Sequence, residues 1–454
     1  MMRYNLSLHL PPIAIGAARL TLLLTLLVLG CERAPTYTDS EIALAWARLS
    51  LDITKDTPGN SPTYASRCFG YLGVTMYESV VHGSPDHRSL VGQLSGLDHL
   101  PVPNPDAPYD WALVLNAAQA AMLRDLYQQT SPGNIARIDS LERRIVQSRS
   151  REVDQPTIKL SVAYGGRLAS MIYEWSKSDG GHRAYLRNFD KALVHPQRPG
   201  GWQPPLYAQS FSHHPLHPAW GTNRPFVPAN YGMAAPAFIA FDTVPGSPYY
   251  AQFRSVYDKG RTLTQAEKEA ALWWGDDPAE TFTPPGHSYY LATMILEQEG
   301  ASLISCAETL ARTGIAVADA FINCWRWKFE VFSERPNTFI AAHIDAEWES
   351  FWPDPPFPAF PSGHAVQAAA AAEVLMDLHG DDHVLMDASH EGRQRDVVRD
   401  VEFRTRNYTR LSELAREVAD SRFYGGIHTP QDNERGLERG ADIGRHVNGL
   451  QWRN

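Results

Sequence analysis

From residue 355 the sequence reads Pro355-Pro356-Phe357-Pro358-Ala359-Phe360-Pro361-Ser362-Gly363-His364, followed by the alanine-rich run 365–372. Proline is tolerated at the entry to a helix and excluded from its interior, and Ser362 is a favourable N-cap residue. The sequence therefore predicts a rigid loop that delivers a Ser-Gly-His turn to the N-terminus of a helix.

This predicted turn has the chemistry of an anion-binding site. Backbone N–H groups at a helix N-terminus point outward, with the positive end of the helix dipole behind them. Gly363 lets an oxyanion approach the backbone closely, Ser362 adds a hydroxyl donor, and His364 can move a proton at neutral pH. Because a Ser cap followed by a His is also common in helices without such a function, the neighbouring motifs decide the interpretation.

Two further segments supply cationic and imidazole groups. The upstream segment reads Lys328-Phe329-Glu330-Val331-Phe332-Ser333-Glu334-Arg335-Pro336. The downstream segment reads Ser421-Arg422-Phe423-Tyr424-Gly425-Gly426-Ile427-His428-Thr429-Pro430-Gln431-Asp432. With the Ser-Gly-His turn, they provide the donor set needed to hold a compact oxyanion that carries several charges.

Lys328 is predicted to lie on the buried face of its helix. Mostly apolar residues precede it at helical spacing, namely Leu303, Cys306, Leu310, Gly314, Val317, Phe321 and Trp325. An unpaired buried charge is costly, so a lysine in this position needs an anion. The alternative is a lysine whose stem packs in the core while its ammonium group reaches water.

In order along the chain, Lys-x6-Arg-Pro, Pro-Ser-Gly-His and Ser-Arg-x5-His-x3-Asp resemble the three signature motifs of the type 2 phosphatidic acid phosphatase and vanadium-dependent haloperoxidase superfamily. The match is similar to the haloperoxidase branch in particular. In fungal chloroperoxidases, a Trp three residues before the motif Lys and a Phe seven before the motif His lie beside the halide and peroxide position. This chain has Trp325 and Phe357 there, and Phe357, where algal bromoperoxidases have a His, does not fix the halide.

The resemblance implies a vanadate cofactor bonded to His428, with Asp432 orienting that ring. The groups implied to hold the vanadate oxygens are Lys328, Arg335, Ser362, the N–H of Gly363, and Arg422. His364 would be the acid-base group, and Lys328 would also polarise bound peroxide. Hydrogen peroxide, halide and small organic compounds would be the substrates.

A carboxylate is also expected beside Arg422. In haloperoxidases a similar Trp-x-x-Asp turn places an aspartate against the second arginine of the site. The resemblance therefore implies that Asp277 pairs with Arg422, and Asp276 is the rival for that role.

The principal alternative is a phosphatase of the same superfamily, because phosphate and vanadate share shape and charge. In that enzyme His428 would attack phosphorus to form a phosphohistidine, and His364 would protonate the leaving oxygen. Chain length, Trp325 and Phe357 favour the haloperoxidase. Lipid phosphatases also carry several membrane-spanning helices, and none is predicted after residue 31. A third alternative, a lipid-anchored scaffold without turnover, is disfavoured because all three motifs are intact.

From residue 36 onward the hydrophobic pattern is overwhelmingly helical and predicts an all-α protein built from helical bundles. Predicted helices include 41–51, a segment opened by Ser61-Pro62, 110–129, 134–147, 157–175, 266–274 and 286–299. We expect an N-terminal helical region at 41–260 and a C-terminal helical catalytic region at 261–454. Within them, His287 is interpreted as a turn residue and 381–399 as an exposed excursion.

Residues 178–248 interrupt the helical pattern with many Gly, Pro, His and aromatic residues. A long loop of this kind usually lines a site or forms a lid. Its histidines His213, His214 and His217 invite a metal interpretation, but no third ligand class is spaced with them, so solvated loop histidines are the favoured interpretation.

Residues 1–30 resemble a bacterial lipoprotein signal, with Val28-Leu29-Gly30-Cys31 as the lipobox and 31–40 as a tether. The alternatives are a secretory signal cut near Ala34 or an uncleaved anchor. Lipidation at Cys31 would give an exported, membrane-anchored protein, periplasmic or on the cell surface, touching the membrane only through its lipid. The remaining cysteines, Cys68, Cys306 and Cys324, are interpreted as core residues.

Composition excludes one class of partner. The chain of 454 residues can bury a large core, and its formal net charge is −10. With a pI near 5.9, an acidic protein of this kind is not expected to bind nucleic acid.

Overall fold

The structure, a computed structural model, describes residues 36–205 and 212–454. The predicted signal segment and Cys31 lie outside the described residues. Residues Tyr37–Asn454 form one compact unit. The division into an N-terminal region at 41–260 and a catalytic region at 261–454 stays a prediction.

Thirteen α-helices and one two-stranded sheet make up the described part of the chain, which confirms the predicted all-α fold. The first seven helices are α1 (Asp39–Asp56), α2 (Pro62–Val80), α3 (Trp111–Leu126), α4 (Pro132–Arg149), α5 (Gln155–Ser176), α6 (Pro248–Gly260) and α7 (Gln265–Trp273). They are followed by α8 (Thr283–Glu299), α9 (Leu303–Val331), α10 (Pro336–His343), α11 (Gly363–His379), β1 (Asp382–Asp387), β2 (Arg406–Arg410), α12 (Leu411–Tyr424) and α13 (Pro430–Asn448).

Helix starts in the N-terminal half follow local sequence. Thr38 and Glu41 form a reciprocal capping box at the start of α1. The side chains of Ser61, Ser131 and Asp154 accept backbone N–H bonds at the starts of α2, α4 and α5, each with proline in the first turn. Because these caps are bonds between residues close in sequence, the local sequence determines where each helix begins.

Helices α2 and α9 pack closely enough to exclude a side chain at their crossing. A Cβ atom at Gly73 would lie 2.7 Å from the Leu310 carbonyl oxygen, and one at Gly314 would collide with the Phe69 carbonyl oxygen. Both glycines therefore let two backbones touch, which places the long central helix α9 inside the core. Its last turn carries Lys328.

Helices α11 and α13 make a second close contact, which aligns two of the sequence motifs. A Cβ atom at Gly436 would lie 2.7 Å from Ala365 Cβ, and one at Gly440 would collide with the Val366 carbonyl oxygen. Small residues on both helices therefore set their separation. This packing brings the helix start at Gly363 beside the start of α13.

The sheet is an antiparallel hairpin in which Leu385 of β1 pairs with Tyr408 of β2. Along β1, Leu385 and Asp387 are buried while Val384 and Met386 are exposed. The prediction of an exposed excursion at 381–399 is wrong for Asp387 and His390, which are buried. The polar composition of this segment suggested exposure. Asp387 and His390 can be buried because each bonds a polar partner in the interior.

The long loop 178–248 contains only short 3₁₀ turns among its described residues, and it carries the buried side chains Trp202, Leu216 and Trp220. The expectation of a solvated His217 is wrong. Its Nδ1 lies 2.5 Å from Thr63 Oγ1, and its Nε2 lies 3.1 Å from the Ala184 carbonyl oxygen. His213 and His214 are partly exposed. The loop thus packs onto α2 through a histidine that acts as a polar core residue.

The cysteine interpretation is confirmed, since Cys68, Cys306 and Cys324 are buried and unpaired. Among the helices of the described residues, none is long and apolar enough to cross a membrane.

Candidate active site

The three motifs meet where α9 ends and where α10, α11 and α13 begin. Lys328 lies in the last turn of α9, and Arg335 immediately precedes α10. Ser362 caps α11, as the sequence predicts, and its hydroxyl accepts the Ala365 N–H at 3.4 Å. The Ser362 N–H donates to the Asp432 carbonyl oxygen at 3.0 Å, which ties the second motif to the third.

Lys328 is fully buried, as its helical spacing predicts. Its ammonium donates to three carbonyl oxygens of the proline-rich loop: Pro358 at 2.9 Å, Ala359 at 2.6 Å and Pro361 at 2.7 Å. Burial lowers its pKa well below the ordinary value. The lysine therefore brings positive charge behind the Ser-Gly-His turn and also ties down the loop that precedes it.

Arg335 joins the first motif to the third. Its Nη1 donates to the Ile427 carbonyl oxygen at 2.9 Å and to His428 Nε2 at 3.1 Å. Its Nη2 donates to the Phe357 carbonyl oxygen at 2.9 Å. Burial lowers the pKa of Arg335 to about 10, so the guanidinium stays charged at neutral pH.

His428 and Asp432 form a buried pair in which the tautomer follows from the partners. A guanidinium can only donate, so Arg335 requires His428 Nε2 to accept, which leaves the ring proton on Nδ1. Nδ1 then donates to Asp432 Oδ2 at 3.1 Å. Burial and the nearby cation Arg335 hold the pKa of His428 well below its ordinary value. The neutral ring therefore keeps a lone pair on Nε2.

Asp432 is held by the start of its own helix. It is the third helical residue of α13, and its Oδ2 accepts the Thr429 N–H at 2.9 Å in a capping box. Burial raises its pKa to about 6. The helix cap thus fixes the carboxylate that fixes the His428 ring.

A cavity of about 470 Å³ lies against these groups. Its polar wall includes Gly363, His364, Arg422 and His428, and its apolar wall includes Leu216, Phe321, Trp325, Trp352 and Phe357. Leu216 belongs to the long loop, so the expectation that this loop lines a site is met.

Trp325 and Phe357, the residues proposed for a halide pocket, contact each other in the wall of this cavity. Their ring centroids are 4.9 Å apart, and the Phe357 ring lies 5.3 Å from Lys328 Nζ. Trp325 Nε1 donates to the Leu216 carbonyl oxygen at 3.0 Å, which fixes the indole. The structure thus brings both aromatic rings to the cationic side of the cavity.

Three side-chain atoms of residues that line the cavity have no hydrogen-bond partner within the described residues: His364 Nε2, Arg422 Nη1 and Asp354 Oδ1. Burial and the charge of Arg422 lower the pKa of His364 to about 3, so its ring is neutral at pH 7. A backbone hydrogen bond to Trp274 favours the protonated form of that ring. Since Nε2 lacks a partner, we assign that bond to Nδ1. Nε2 is then free to accept a proton.

Arg422 is buried, and its other donors bind the protein, with Nη2 on the Ala271 carbonyl oxygen and Nε on Ser421 Oγ at 3.0 Å. Burial lowers its pKa to about 10, and the charge of Asp276, followed by that of Asp277, opposes this effect. In the described structure neither aspartate forms an ion pair with Arg422. Asp277 is exposed at the cavity rim, whereas Asp276 is buried.

The interpretation of His287 as a turn residue is wrong. It lies in the first turns of α8 and is buried between Asp276 and Asp387, with both nitrogens 2.9 Å from carboxylate oxygens. His390 reaches the other oxygen of Asp276. The sequence offered little signal for this cluster, because its members come from three separate segments.

Asp354 is another group that sequence reasoning missed. It lines the cavity, is buried, and its Oδ1 has no partner among the residues described. Burial raises its pKa to about 7, against the opposing charge of Arg335. Its position within the run of prolines before the Ser-Gly-His turn gave no charge pattern that pointed to the cavity.

The fit of an oxyanion is supported by these unpartnered atoms and by the space at the helix start. A Cβ atom on Gly363 would lie 3.7 Å from the Trp325 ring and 4.0 Å from Lys328 Cε, so glycine leaves room there. Arg422 Nη1, the neutral His364 ring and the His428 lone pair all border the same cavity. A tetrahedral oxyanion bonded to a histidine would satisfy this set.

Comparison with known proteins agrees with the fold and the motifs described above. Residues 308–451 match the family described as the VCPO second helical-bundle domain. Among curated proteins, none matches this chain. A solved structure described as the first bacterial vanadium-dependent iodoperoxidase is 28% identical, with a TM-score of 0.77, over 90% of this chain and 96% of that one.

Two further structures share the fold. They are the apo and holo types of a bacterial vanadium-dependent chloroperoxidase, which are 15% and 16% identical. Their TM-scores are 0.64 and 0.59, and each covers 86% of this chain and more than nine-tenths of its own (93% and 96%). At this identity the likeness concerns the fold.

Proposed function

We propose that this chain, which belongs to the vanadium haloperoxidase family, oxidises halide with hydrogen peroxide at a vanadate bound to His428. The reaction consumes hydrogen peroxide, halide and a proton, and it yields hypohalous acid and water. The observation that carries the proposal is the convergence, in one cavity, of the His428 lone pair with unpartnered atoms of His364 and Arg422. The likeness to a bacterial iodoperoxidase along nearly the whole chain supports the same activity.

The residues that would hold vanadate are His428 through Nε2, Arg422 through Nη1, and the helix start formed by Ser362 and Gly363. Lys328 and Arg335 would neutralise its charge from behind the cavity wall. The three Lys328 protons are engaged by carbonyl oxygens, so direct donation by Lys328 requires it to release one of these bonds. Arg335 would likewise exchange its bond to His428 Nε2 for an oxygen of the anion.

When bound, vanadate supplies a Lewis acid that activates hydrogen peroxide towards two-electron oxidation of halide. His364 Nε2 accepts a proton from incoming peroxide, because the neutral ring has a free lone pair there. It returns that proton to the oxygen that leaves as water. The gain of an anion in the cavity opposes the charge of Arg422 and raises the proton affinity of His364 towards the working range.

Asp432 keeps His428 in the neutral tautomer that carries its proton on Nδ1. By accepting the Nδ1 proton it fixes the ring orientation and leaves Nε2 as the ligand atom. Trp325 and Phe357 would border the halide. Their rings form an apolar wall that excludes competing water, and the cations Lys328 and Arg335 beside Phe357 would attract the anion. Asp276 supports the charge of Arg422 more strongly than Asp277 does.

A phosphatase remains the rival activity, because the neutral His428 paired with Asp432 also suits a nucleophile. The two activities are separated by assays on one preparation. After vanadate loading, we expect bound vanadium at one per chain and halide oxidation that phosphate suppresses. We expect weak p-nitrophenyl phosphate hydrolysis by the vanadate-free protein, lost when vanadate is added. Strong ester hydrolysis combined with no retained vanadium would favour the phosphatase.

We also propose that the protein is exported and anchored by a lipid on Cys31, which supports a location at the periplasmic face or the cell surface. The motif Val28-Leu29-Gly30-Cys31 after a short apolar run carries this proposal. Cys31→Ser should move the protein from the membrane fraction to the soluble fraction, or block its maturation. Mass spectrometry of the mature N-terminus is the check, and an unmodified N-terminus beyond Cys31 in the wild type would contradict lipidation.

A further inference from the structure

Asp276, in the wall of the catalytic cavity, is bound on both carboxylate oxygens by histidines. Its Oδ2 lies 2.9 Å from His287 Nδ1, and its Oδ1 lies 2.9 Å from His390 Nε2. The second nitrogen of His287, Nε2, lies 2.9 Å from Asp387 Oδ2. These four residues are buried and come from the turn after α7, from α8, and from the hairpin segment that begins with β1.

Carboxylate oxygens only accept, so His287 donates through both nitrogens and is an imidazolium. Burial opposes this charge, but Asp276 and Asp387 raise the pKa of His287 far above its ordinary value. The same contacts hold the pKa of Asp276 well below its ordinary value, against the effect of burial. Asp387 also accepts hydrogen bonds from Trp273 Nε1 at 2.7 Å and from the Ser389 N–H at 2.9 Å, and Ser389 Oγ lies 3.2 Å from His287 Nε2.

Arg422 interacts with the charge of Asp276 but does not form an ion pair with it. Asp276 contributes the largest favourable charge interaction to Arg422, yet the two form no ion pair in the described structure. An arginine beside an unrestrained carboxylate commonly forms a two-point pair that consumes its N–H donors. Here the histidines occupy both oxygens of Asp276, and Arg422 Nη1 has no partner within the described chain.

The backbone around Asp276 is also held in an unfavourable conformation. Asp276, Ala279 and Thr283 have φ values of +50°, +68° and +70°, in the left-handed region that residues other than glycine seldom adopt. Three such residues in one short turn need contacts from outside the turn to hold them. The bonds from His287 and His390 to Asp276 supply such contacts.

We propose that His287, Asp387 and His390 are positioning residues that restrain Asp276, so that Arg422 keeps its charge while its Nη1–H stays available to an oxyanion in the cavity. The hairpin segment is thereby part of the site. This inference rests on the proposed function only in that the cavity holds an oxyanion, which the phosphatase alternative shares. Loss of the restraint would let Asp276 pair with Arg422 and compete with the anion.

The test is the affinity of the vanadate-free full chain for inorganic phosphate, measured by calorimetry. We expect His390→Leu, which has no donor for Asp276, to weaken phosphate binding about tenfold or more, in the range seen when groups that orient a site are removed. Adding Asp276→Asn in the same chain should restore much of that loss, because a neutral amide competes poorly for Arg422. A structural defect alone would not be rescued in this way. Val384→Thr, on the exposed face of the same hairpin, is the matched control and should bind phosphate as the wild type does.

Unchanged phosphate affinity in His390→Leu, or no recovery in the double variant, overturns the proposal. A second measurement is made on the wild type: ¹⁵N NMR at pH 8 should show His287 as an imidazolium, and His287→Gln serves only to assign that signal. A neutral His287 ring overturns the proposal, as does a stoichiometric divalent cation that disappears with His287 or His390, since the cluster is then a metal site. Failure of halide oxidation with these results intact contradicts the proposed function alone.

Discussion

His428 and His287 are both buried and both bind a carboxylate, yet their surroundings give them opposite charges. Burial lowers the pKa of His428 well below the ordinary value, and the nearby cations Arg335 and Lys328 lower it further although the ring bonds to Asp432. His287 lies between two aspartates, so its pKa rises. A bond to one carboxylate therefore does not determine whether a buried histidine is charged; the balance between burial and the neighbouring charges does.

Because their charges differ, His428 and His287 have different roles in the site. The neutral His428 offers a lone pair, which a ligand or nucleophile needs. The charged His287 offers two N–H donors and no lone pair, which suits a clamp on Asp276.

Removing the His428 ring should abolish stoichiometric vanadate binding, because Nε2 is the ligand atom that the Asp432 bond prepares. His428→Ala is the variant, and vanadium content after gel filtration is the measurement. His446→Ala, at a partly buried histidine of the same helix α13, is the matched control and should retain vanadium. Tight stoichiometric vanadium in His428→Ala would contradict the assignment.

Removing the His364 ring should lower the rate of halide oxidation by about a hundredfold or more, as is typical when an acid-base group is lost. Vanadium content should stay near the wild-type value, since His364 is not the ligand. Steady-state rates and metal analysis of His364→Ala check this split. A rate within a fewfold of the wild type would show that another group transfers the proton. Asp354, which lines the same cavity, would be the first candidate.

Replacing the partner of the neutral histidine should weaken vanadate binding by about ten- to a hundredfold. In Asp432→Asn the amide loses the charge that favours the Nδ1–H tautomer of His428, and the α13 cap is also weakened. Equilibrium dialysis measures the affinity. Wild-type affinity in this variant would mean that Arg335 alone selects the tautomer.

The smallest effect concerns stability against pH, where the two histidines have opposite signs. The folded pKa of His287 is raised from 6.5 to about 10, so its stabilisation is complete below about pH 6.5 and is lost as pH rises towards 10. His428 has a lowered pKa and instead destabilises the fold as pH falls below 6.5. His287→Gln should flatten the loss of thermal stability between pH 7 and 10.

The matched control for that measurement is His383→Gln on the same hairpin, which lies outside the cluster and should keep the wild-type slope. An alkaline slope in His287→Gln as steep as that of the wild type would mean that His287 is not an imidazolium.

The sequence predicts one of these histidines and misses the other for a physical reason. His428 lies four residues before Asp432 at a helix start, so a local motif fixes the pair. Likewise, Ser362 as the cap of α11 and Lys328 on the buried stripe of α9 follow from short-range spacing. The helical fold follows because caps and apolar periodicity are local signals as well.

The His287 cluster joins segments that are distant along the chain. Asp276 and Asp387 are polar residues in stretches that look exposed, and only the tertiary fold shows that their charges are balanced in the interior. The same reason explains His217, which is buried through a bond to Thr63 that no local pattern encodes. Local sequence spacing therefore does not predict the burial of polar groups whose hydrogen-bond partners are distant along the chain.

The most direct test of haloperoxidase activity is the rate of iodide, bromide and chloride oxidation by the vanadate-loaded wild type with hydrogen peroxide, from mildly acidic to neutral pH. His428→Ala, treated in the same way, provides the blank. We predict halide oxidation with at least one of the three ions, absent from the His428→Ala blank and suppressed by phosphate. No oxidation of any halide, together with robust hydrolysis of phosphate esters by the same preparation, would contradict it.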